Sequence, residues 1–422
     1  MMKTAVYALL FAAVGAGAAV ADEVTDWNEI MLDAFMGPPA VSPPLTARSA
    51  AIVAASVFDA VNGIERRYTP IHVSPAAPPG ASERAAAVQA AYASLVRLFP
   101  ARAAALDGMR TVSLSGIASS AAEHNESIQR GIEWGQAVAD AIWEWRSHDG
   151  FANVQPPFTG GLVPGQWRPT PPAFAPGLAP QMARMTPWVI ATPAQFRPAG
   201  PNPLTSARYA ADLNETEAMG SATSSTRTAD QTLYVRFWAS TNSPDFWDSA
   251  AIRLSTERRF ALSENARLLA LVNVAMADAA IGCWDAKYTY DFWRPITAIR
   301  LADTDGNPDT TADSAWTPLL NTPPFPEYPS AHSCGSSAAA SILAAYFGEN
   351  TEFSITSRGM PTLARYFDSF SDALDEIANA RVFGGIHFRT ACQDGQALGH
   401  DVGSYVLLHA ALPLHQMRED KR

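Results

Sequence analysis

Apolar residues recur at spacings of three and four along most of this chain, the period of helices that bury one face. Between about 27 and 68, Ile30, Met31 and Phe35 share a face. After a proline-rich break at 38–44, Ala47, Ala50, Ala51, Val53, Ala54, Val57, Phe58 and Val61 continue the pattern as a buried amphipathic helix. The same period predicts helices over 82–99, 101–114 and 124–146, the last carrying Ile128, Ile132, Trp134, Val138, Ile142 and Trp145. Four such segments read as a helical bundle.

The pattern then breaks. Thirteen of the 32 prolines fall between Pro156 and Pro203, together with Gly160, Gly161 and Gly165, and this composition leaves little room for helix or sheet. The stretch also holds Phe158, Trp167, Phe174, Trp188 and Phe196. So many large rings predict an ordered strap packed across the helices and not a flexible linker.

Helical periodicity returns at about 206–219 and 228–238. Ser263, as an N-cap before Glu264, opens a long helix through Leu268, Leu269, Val272, Met276 and Ala280 as far as Trp284. A polar loop covers 303–321; helices follow to about 347, over 371–383 and over 395–412. No βαβ alternation and no short repeat is present. The predicted fold is all-α: two helical bundles, 22–150 and 206–415, joined by the Pro-rich strap 151–205, with a short tail at 416–422 and the chemistry in the C-terminal bundle.

The chain has 422 residues, 48% hydrophobic and 17% charged, enough for a large core. Residues 1–21 read as a secretory signal, with Lys3 before an apolar run at 5–14 and Ala19-Val20-Ala21 as a cleavage site ahead of Asp22. That predicts an exported protein, periplasmic or secreted, with no membrane association after cleavage. Cys283, Cys334 and Cys392 allow at most one internal disulfide, form no C-x-x-C and fit no common zinc spacing; they read as small buried residues. The net charge of −11 excludes nucleic acid as the expected partner. Against that background, clustered cations are informative.

Only three lysines occur, two of them near the termini, so Lys287 is the sole lysine of the body. It stands among Trp284, Tyr288, Tyr290, Phe292 and Trp293, where an unpaired ammonium is costly, and an anionic partner is expected. Arg294 follows seven residues later, almost two helical turns, so both cations share a face if the helix runs that far. Pro329-Ser330-Ala331-His332 is predicted to open a helix, where free N–H groups and the Ser330 hydroxyl favour an anion. Arg381 and His387 flank two glycines that let a helix end and the backbone approach a ligand. The remaining histidines, His72, His124, His148, His400, His409 and His415, have no accompanying constellation. Three cations, a hydroxyl, helix N–H donors and two imidazoles suit a tetrahedral oxyanion.

In this order, Lys287-x6-Arg294-Pro295, Pro329-Ser330-x-His332 and Arg381-x3-Gly385-x-His387 resemble the three signature motifs of the vanadium-dependent haloperoxidases and the related type 2 phosphatidic acid phosphatase superfamily. Further stretches, 47–52, 58–62, 227–231, 275–279 and 293–300, resemble bacterial haloperoxidase-like members. The resemblance implies vanadate as cofactor, with His387 as axial ligand to the metal. Lys287, Arg294 and Arg381 would neutralise the oxyanion, Ser330 and the Ala331 N–H would add donors, and His332 would be the acid/base group. It also implies hydrogen peroxide, halide and a small organic molecule as substrates, with Trp284 and Phe325 forming an apolar halide pocket. In a phosphatase the same groups would act on a phosphomonoester, His387 attacking phosphorus and His332 protonating the leaving alcohol.

Three positions depart from the family pattern. Ala331 stands where glycine is usual, Ala380 where a serine precedes the arginine, and Ala391 where many members have an aspartate that could orient the histidine. Asp394 or a backbone carbonyl is the expected substitute for that aspartate. The sequence alone therefore leaves three readings: an exported vanadate-dependent haloperoxidase, a phosphatase with a phosphohistidine intermediate, and an oxyanion-binding homologue without turnover.

Overall fold

The computed structural model describes residues 22–37, 41–120 and 123–414. The predicted signal segment and tail lie outside the described residues. The first group of helices is α1 (Glu23–Met36), α2 (Pro43–Glu65), α3 (Glu83–Leu98), α4 (Ala103–Ala118) and α5 (Asn125–Ser147). The second comprises α6 (Ala207–Gly220), α7 (Ala229–Phe237), α8 (Ser243–Glu257), α9 (Leu262–Tyr290), α10 (Pro295–Arg300), α11 (Ala331–Phe347), α12 (Phe370–Phe383) and α13 (Arg389–His409). One antiparallel hairpin, β1 (Phe353–Thr356) with β2 (Ala364–Phe367), is the only sheet among the described residues. The fold is mainly helical.

Helix α9 organises the rest. Its 29 residues span about 44 Å, and it is apolar nearly all round, as a helix buried on every side must be. It packs on α2 from the first group and on α11 and α13 from the second, so one continuous core of buried apolar residues runs through both. Its start differs from the sequence expectation by two residues. Ala261 is the N-cap, and the Glu264 carboxylate accepts from the Ala261 N–H at 2.9 Å, so Ser263 lies inside the first turn.

The segment between α5 and α6 holds no α-helix or strand, yet Trp167, Met182, Met185 and Trp188 in it are buried. Its anchor is electrostatic. The Asp278 carboxylate, fully buried on α9, accepts from the backbone N–H groups of Trp188, Val189 and Ile190 at 2.7, 2.8 and 3.0 Å. Asp59 on α2 does the same for Ile71, His72 and Val73, each at 2.8 Å. Both loops thereby satisfy amides that regular structure does not reach.

Three elements depart from the periodicity reading. Helix α8 was not expected, although Asn242 and Pro244 mark its start; α10 was not either; and α13 begins at Arg389, six residues earlier than the apolar pattern indicates.

Candidate active site

The residues singled out in the sequence come from four places. Lys287 sits in the last turn of α9, and Arg294 is the N-cap of α10. Ser330 caps α11, with Ala331 and His332 in its first turn; its hydroxyl accepts from the Ser333 N–H at 3.4 Å and keeps its own proton to donate. Arg381 lies in the last turn of α12, and His387 follows the Gly384-Gly385 turn. Gly385 has φ +73°, and a Cβ there would lie 2.5 Å from the Gly220 carbonyl oxygen, so only glycine lets the chain turn back here and present His387.

Lys287 and Arg294 do not share one helix. The chain leaves α9 at Asp291 in a left-handed conformation (φ 49°), and Pro295 then starts α10. The two cations converge nevertheless, because both reach the segment before α11. Lys287 Nζ donates to the carbonyls of Pro326 and Glu327, both at 3.0 Å, and of Pro329. Arg294 Nε donates to the Phe325 carbonyl at 2.8 Å. The Phe325 ring lies 5.0 Å from Lys287 Nζ and 4.7 Å from Arg294 Cζ, a cation–π contact with both. The anionic partner expected for Lys287 is absent among the described residues; three carbonyl dipoles take its place. Burial pushes the ammonium down to about 8, and Arg294 adds to the effect.

His387 is buried and both ring nitrogens are engaged. Arg294 Nη1 lies 3.2 Å from Nε2, and the same nitrogen donates to the Ile386 carbonyl at 2.7 Å. A guanidinium only donates, so Nε2 accepts and the ring proton sits on Nδ1, 2.8 Å from Glu327 Oε1. Burial and then Arg294 hold the His387 imidazolium well below the usual histidine range. His332 is likewise held down, by burial and then by Arg381, and its Nε2 is buried without a partner. Both imidazoles are neutral bases at pH 7.

Glu327 was missed as a site residue. Its carboxylate is fully buried, accepts from His387 and from the Phe388 N–H at 2.9 Å through Oε1, and leaves Oε2 unpartnered. Burial pushes it up to about 7, against the Phe388 amide and the positive charge of Arg294 and Lys287. The available signal was an acid inside the otherwise apolar Pro-Phe-Pro-Glu-Tyr-Pro run. Asp394, the expected substitute behind His387, instead accepts from the Tyr328 hydroxyl at 2.5 Å. Ala391 serves through its backbone: its carbonyl accepts from Ser330 N–H at 2.9 Å and fixes the start of α11.

Unsatisfied donors show what the cradle lacks. Among the described residues, Arg294 Nη2 and Arg381 Nε are buried with no partner, and Arg381 makes one long bond, to the Trp238 carbonyl at 3.4 Å. Three buried cations face a single carboxylate, which lies behind His387 and pairs with none of them. Such an excess favours a multiply charged anion. A tetrahedral oxyanion such as vanadate or phosphate fits this donor set.

Beside the cradle, a small, mostly apolar cavity is walled by Trp284 and Met276 from α9, Ala331 and His332 from α11, Ala47 from α2 and Asn242 before α8. Trp284 thus lies on the cavity wall, 5.1 Å ring to ring from Phe325, which is turned toward the two cations. Cys283, Cys334 and Cys392 are free thiols, all fully buried; the Cys283 thiol points at the Pro329 carbonyl at 3.7 Å.

Comparison with known proteins bears on the fold. Residues 267–416 match the model of the VCPO second helical-bundle domain. The vanadium chloroperoxidase of Curvularia inaequalis is 30% identical over 237 residues, an alignment covering 41% of this chain and 38% of that protein. Well under half of that relative's length is therefore matched. Among solved structures, a bacterial vanadium-dependent iodoperoxidase superposes with a TM-score of 0.78 at 28% identity, over 93% of this chain and 96% of that one. A holo-type bacterial vanadium-dependent chloroperoxidase shares the fold at TM-score 0.72 and 18% identity, over 92% and 96%. With the oxyanion cradle and the neutral histidine beside Arg294, the chain is thus similar to the vanadium haloperoxidases in its second helical bundle and in its fold.

Proposed function

We propose that the chain is an exported vanadate-dependent haloperoxidase that oxidises halide with hydrogen peroxide to hypohalous acid, which then halogenates a small organic molecule. The observation that carries this reading is the set of buried, unpartnered cationic donors of Arg294 and Arg381 around a neutral histidine nitrogen. His387 Nε2 would hold the metal, and Lys287, Arg294, Arg381, the Ser330 hydroxyl and the Ala331 N–H would hold its oxygens. When bound, vanadate supplies Lewis acidity that makes a peroxide oxygen electrophilic toward halide without a change of metal oxidation state.

The chain's own residues do the rest. Glu327 keeps the Nδ1 proton in place, so Nε2 is the nitrogen turned to the cradle. Arg294 Nη1 would have to leave Nε2 for that nitrogen to hold the group, and its Nη2, without a partner among the described residues, would pair with an oxygen. Lys287 gives up one carbonyl to donate to the anion. Nε2 of His332, neutral and unpartnered, accepts a proton from incoming peroxide and can return it to a leaving hydroxyl. Trp284 and Met276 give the neighbouring cavity a polarisable wall suited to a large, weakly hydrated halide.

The test is reconstitution with orthovanadate followed by bromination of phenol red or monochlorodimedone in the presence of peroxide. Halogenation supports the proposal. Hydrolysis of p-nitrophenyl phosphate without halogenation would replace it by the phosphatase reading, and tight oxyanion binding with neither activity by the non-catalytic one.

A further inference from the structure

We propose that Glu327 is a positioning residue that fixes the tautomer and orientation of His387, taking over from a different chain position the role that an aspartate at 391 cannot play here. The proposal rests on the reading of His387 as the ligand to the metal, but its geometry stands apart from the reaction.

Glu327 is placed to orient a ring and for little else. Among the described residues its carboxylate pairs with no lysine or arginine, although Lys287 and Arg294 are neighbours; its only charge-capable partner is His387 Nδ1 at 2.8 Å. The same oxygen accepts the Phe388 N–H at 2.9 Å, so the carboxylate grips residue 387 by its ring and the chain just beyond it. The Glu327 backbone is held as firmly: its N–H donates to the Phe292 carbonyl at 2.9 Å, between α9 and α10, and its carbonyl accepts from Lys287 Nζ at 3.0 Å. One residue therefore ties the lysine side of the cradle to the histidine side, 60 positions away in sequence.

The chemical consequence follows from the tautomer. A neutral imidazole carries one N–H; with Glu327 accepting at Nδ1, the lone pair is on Nε2, the atom that faces Arg294 and the cradle. Without the carboxylate, Nδ1–H loses its acceptor and only Arg294 Nη1 opposes the Nε2–H tautomer, which has no lone pair to give a metal or to use against phosphorus. The carboxylate behind the ring also raises ligand basicity, and loss of such a partner commonly weakens metal affinity by about 10–100-fold. Asp394 does not take its place: its carboxylate accepts from the Tyr328 hydroxyl.

The test compares wild type, Glu327→Gln and Glu327→Ala, each labelled with 15N-histidine. In the unloaded proteins, 15N NMR reads the His387 tautomer, and titration with orthovanadate and with phosphate reads affinity. We expect Nδ1–H in wild type and in Glu327→Gln, whose amide oxygen still accepts. Glu327→Ala should show Nε2–H character and about 10–100-fold weaker vanadate binding. Should Glu327→Ala not fold, Glu327→Gln decides the matter: Nδ1–H with retained affinity, or Nε2–H with weakened affinity, supports the proposal, and Nε2–H with unchanged affinity overturns it. An unchanged tautomer and affinity in Glu327→Ala, or Nε2–H in wild type, overturns the proposal. Failure of the haloperoxidase reading would show differently, as a normal tautomer shift in a protein without halogenating activity.

Discussion

Arg294 Nη1 hydrogen-bonds His387 Nε2 at 3.2 Å, so the nitrogen turned to the cradle is covered by the guanidinium that would also neutralise the bound anion. The arginine acts as a placeholder: its Nη2 is free, its Nε is anchored on Phe325, and only Nη1 has to move. Arg294→Ala should therefore weaken orthovanadate binding by roughly 10–100-fold, the worth of about one or two charge-assisted hydrogen bonds. Isothermal titration measures it. His387→Ala should go further and abolish both vanadate retention and turnover; full activity in that variant would remove the site assignment.

Oxyanion affinity should fall above about pH 8. The groups around Lys287 are Cys283, Arg294, Glu327 and Cys334, and burial with Arg294 leaves its ammonium at about 8 in the unliganded protein. Phosphate, already a dianion there, should bind more weakly as that proton is lost, and Lys287→Met should bind weakly with a flatter profile across pH 7–10. The sign for folding is opposite. The folded value is below the ordinary 10.5, so between the two the unfolded chain binds more protons, and the Lys287 contribution to stability rises with pH across that window.

Glu83 makes a separate stability prediction far from the cradle. Burial, a shared hydrogen bond with Glu65 and the Glu65 and Glu123 charges push it up from 4.5 to about 7. The folded state then holds a proton that the unfolded chain has released, so this stabilisation is complete below 4.5 and is lost as pH rises through 7. Glu83→Gln should accordingly raise the thermal midpoint at pH 8 and change it little at pH 5. Equal shifts at both values would contradict the carboxyl pairing.

Asp278→Ala should loosen the Pro-rich segment from α9. Three backbone N–H groups lose a buried acceptor, at about 1–3 kcal/mol each if unsatisfied, so a loss of at least about 3 kcal/mol is expected in urea unfolding. Limited proteolysis should cut first near Trp188. Asp278→Asn, which keeps one acceptor oxygen, should lose less.

The cradle was legible in the sequence because each of its motifs is local: a lysine in an aromatic frame, a helix-opening Ser-x-His, an arginine and a histidine around two glycines. What joins them is not local. Periodicity could not show that α9 stops at Tyr290, because Trp293 and Ile296 keep the stretch apolar past the turn at Asp291. It could not show Glu327 behind His387 either, since that contact exists only once the segment before α11 folds over the start of α13. Lys287 illustrates the same limit. Its burial was readable, but its solvation by three carbonyls depends on the path of the loop at 326–329. Helix α8 was obscured by its mixed face, and the β1–β2 hairpin by strands of only four residues.

The central claim is that His387 Nε2, held by Glu327 and surrounded by Lys287, Arg294 and Arg381, bonds the metal of a bound vanadate. Vanadium K-edge EXAFS on the protein loaded with one equivalent of orthovanadate tests it most directly. Multiple scattering from one imidazole ring in wild type, and no such signal in His387→Ala, whose vanadium stays in solution, is the predicted result. An all-oxygen shell in wild type, identical in the variant, would contradict it.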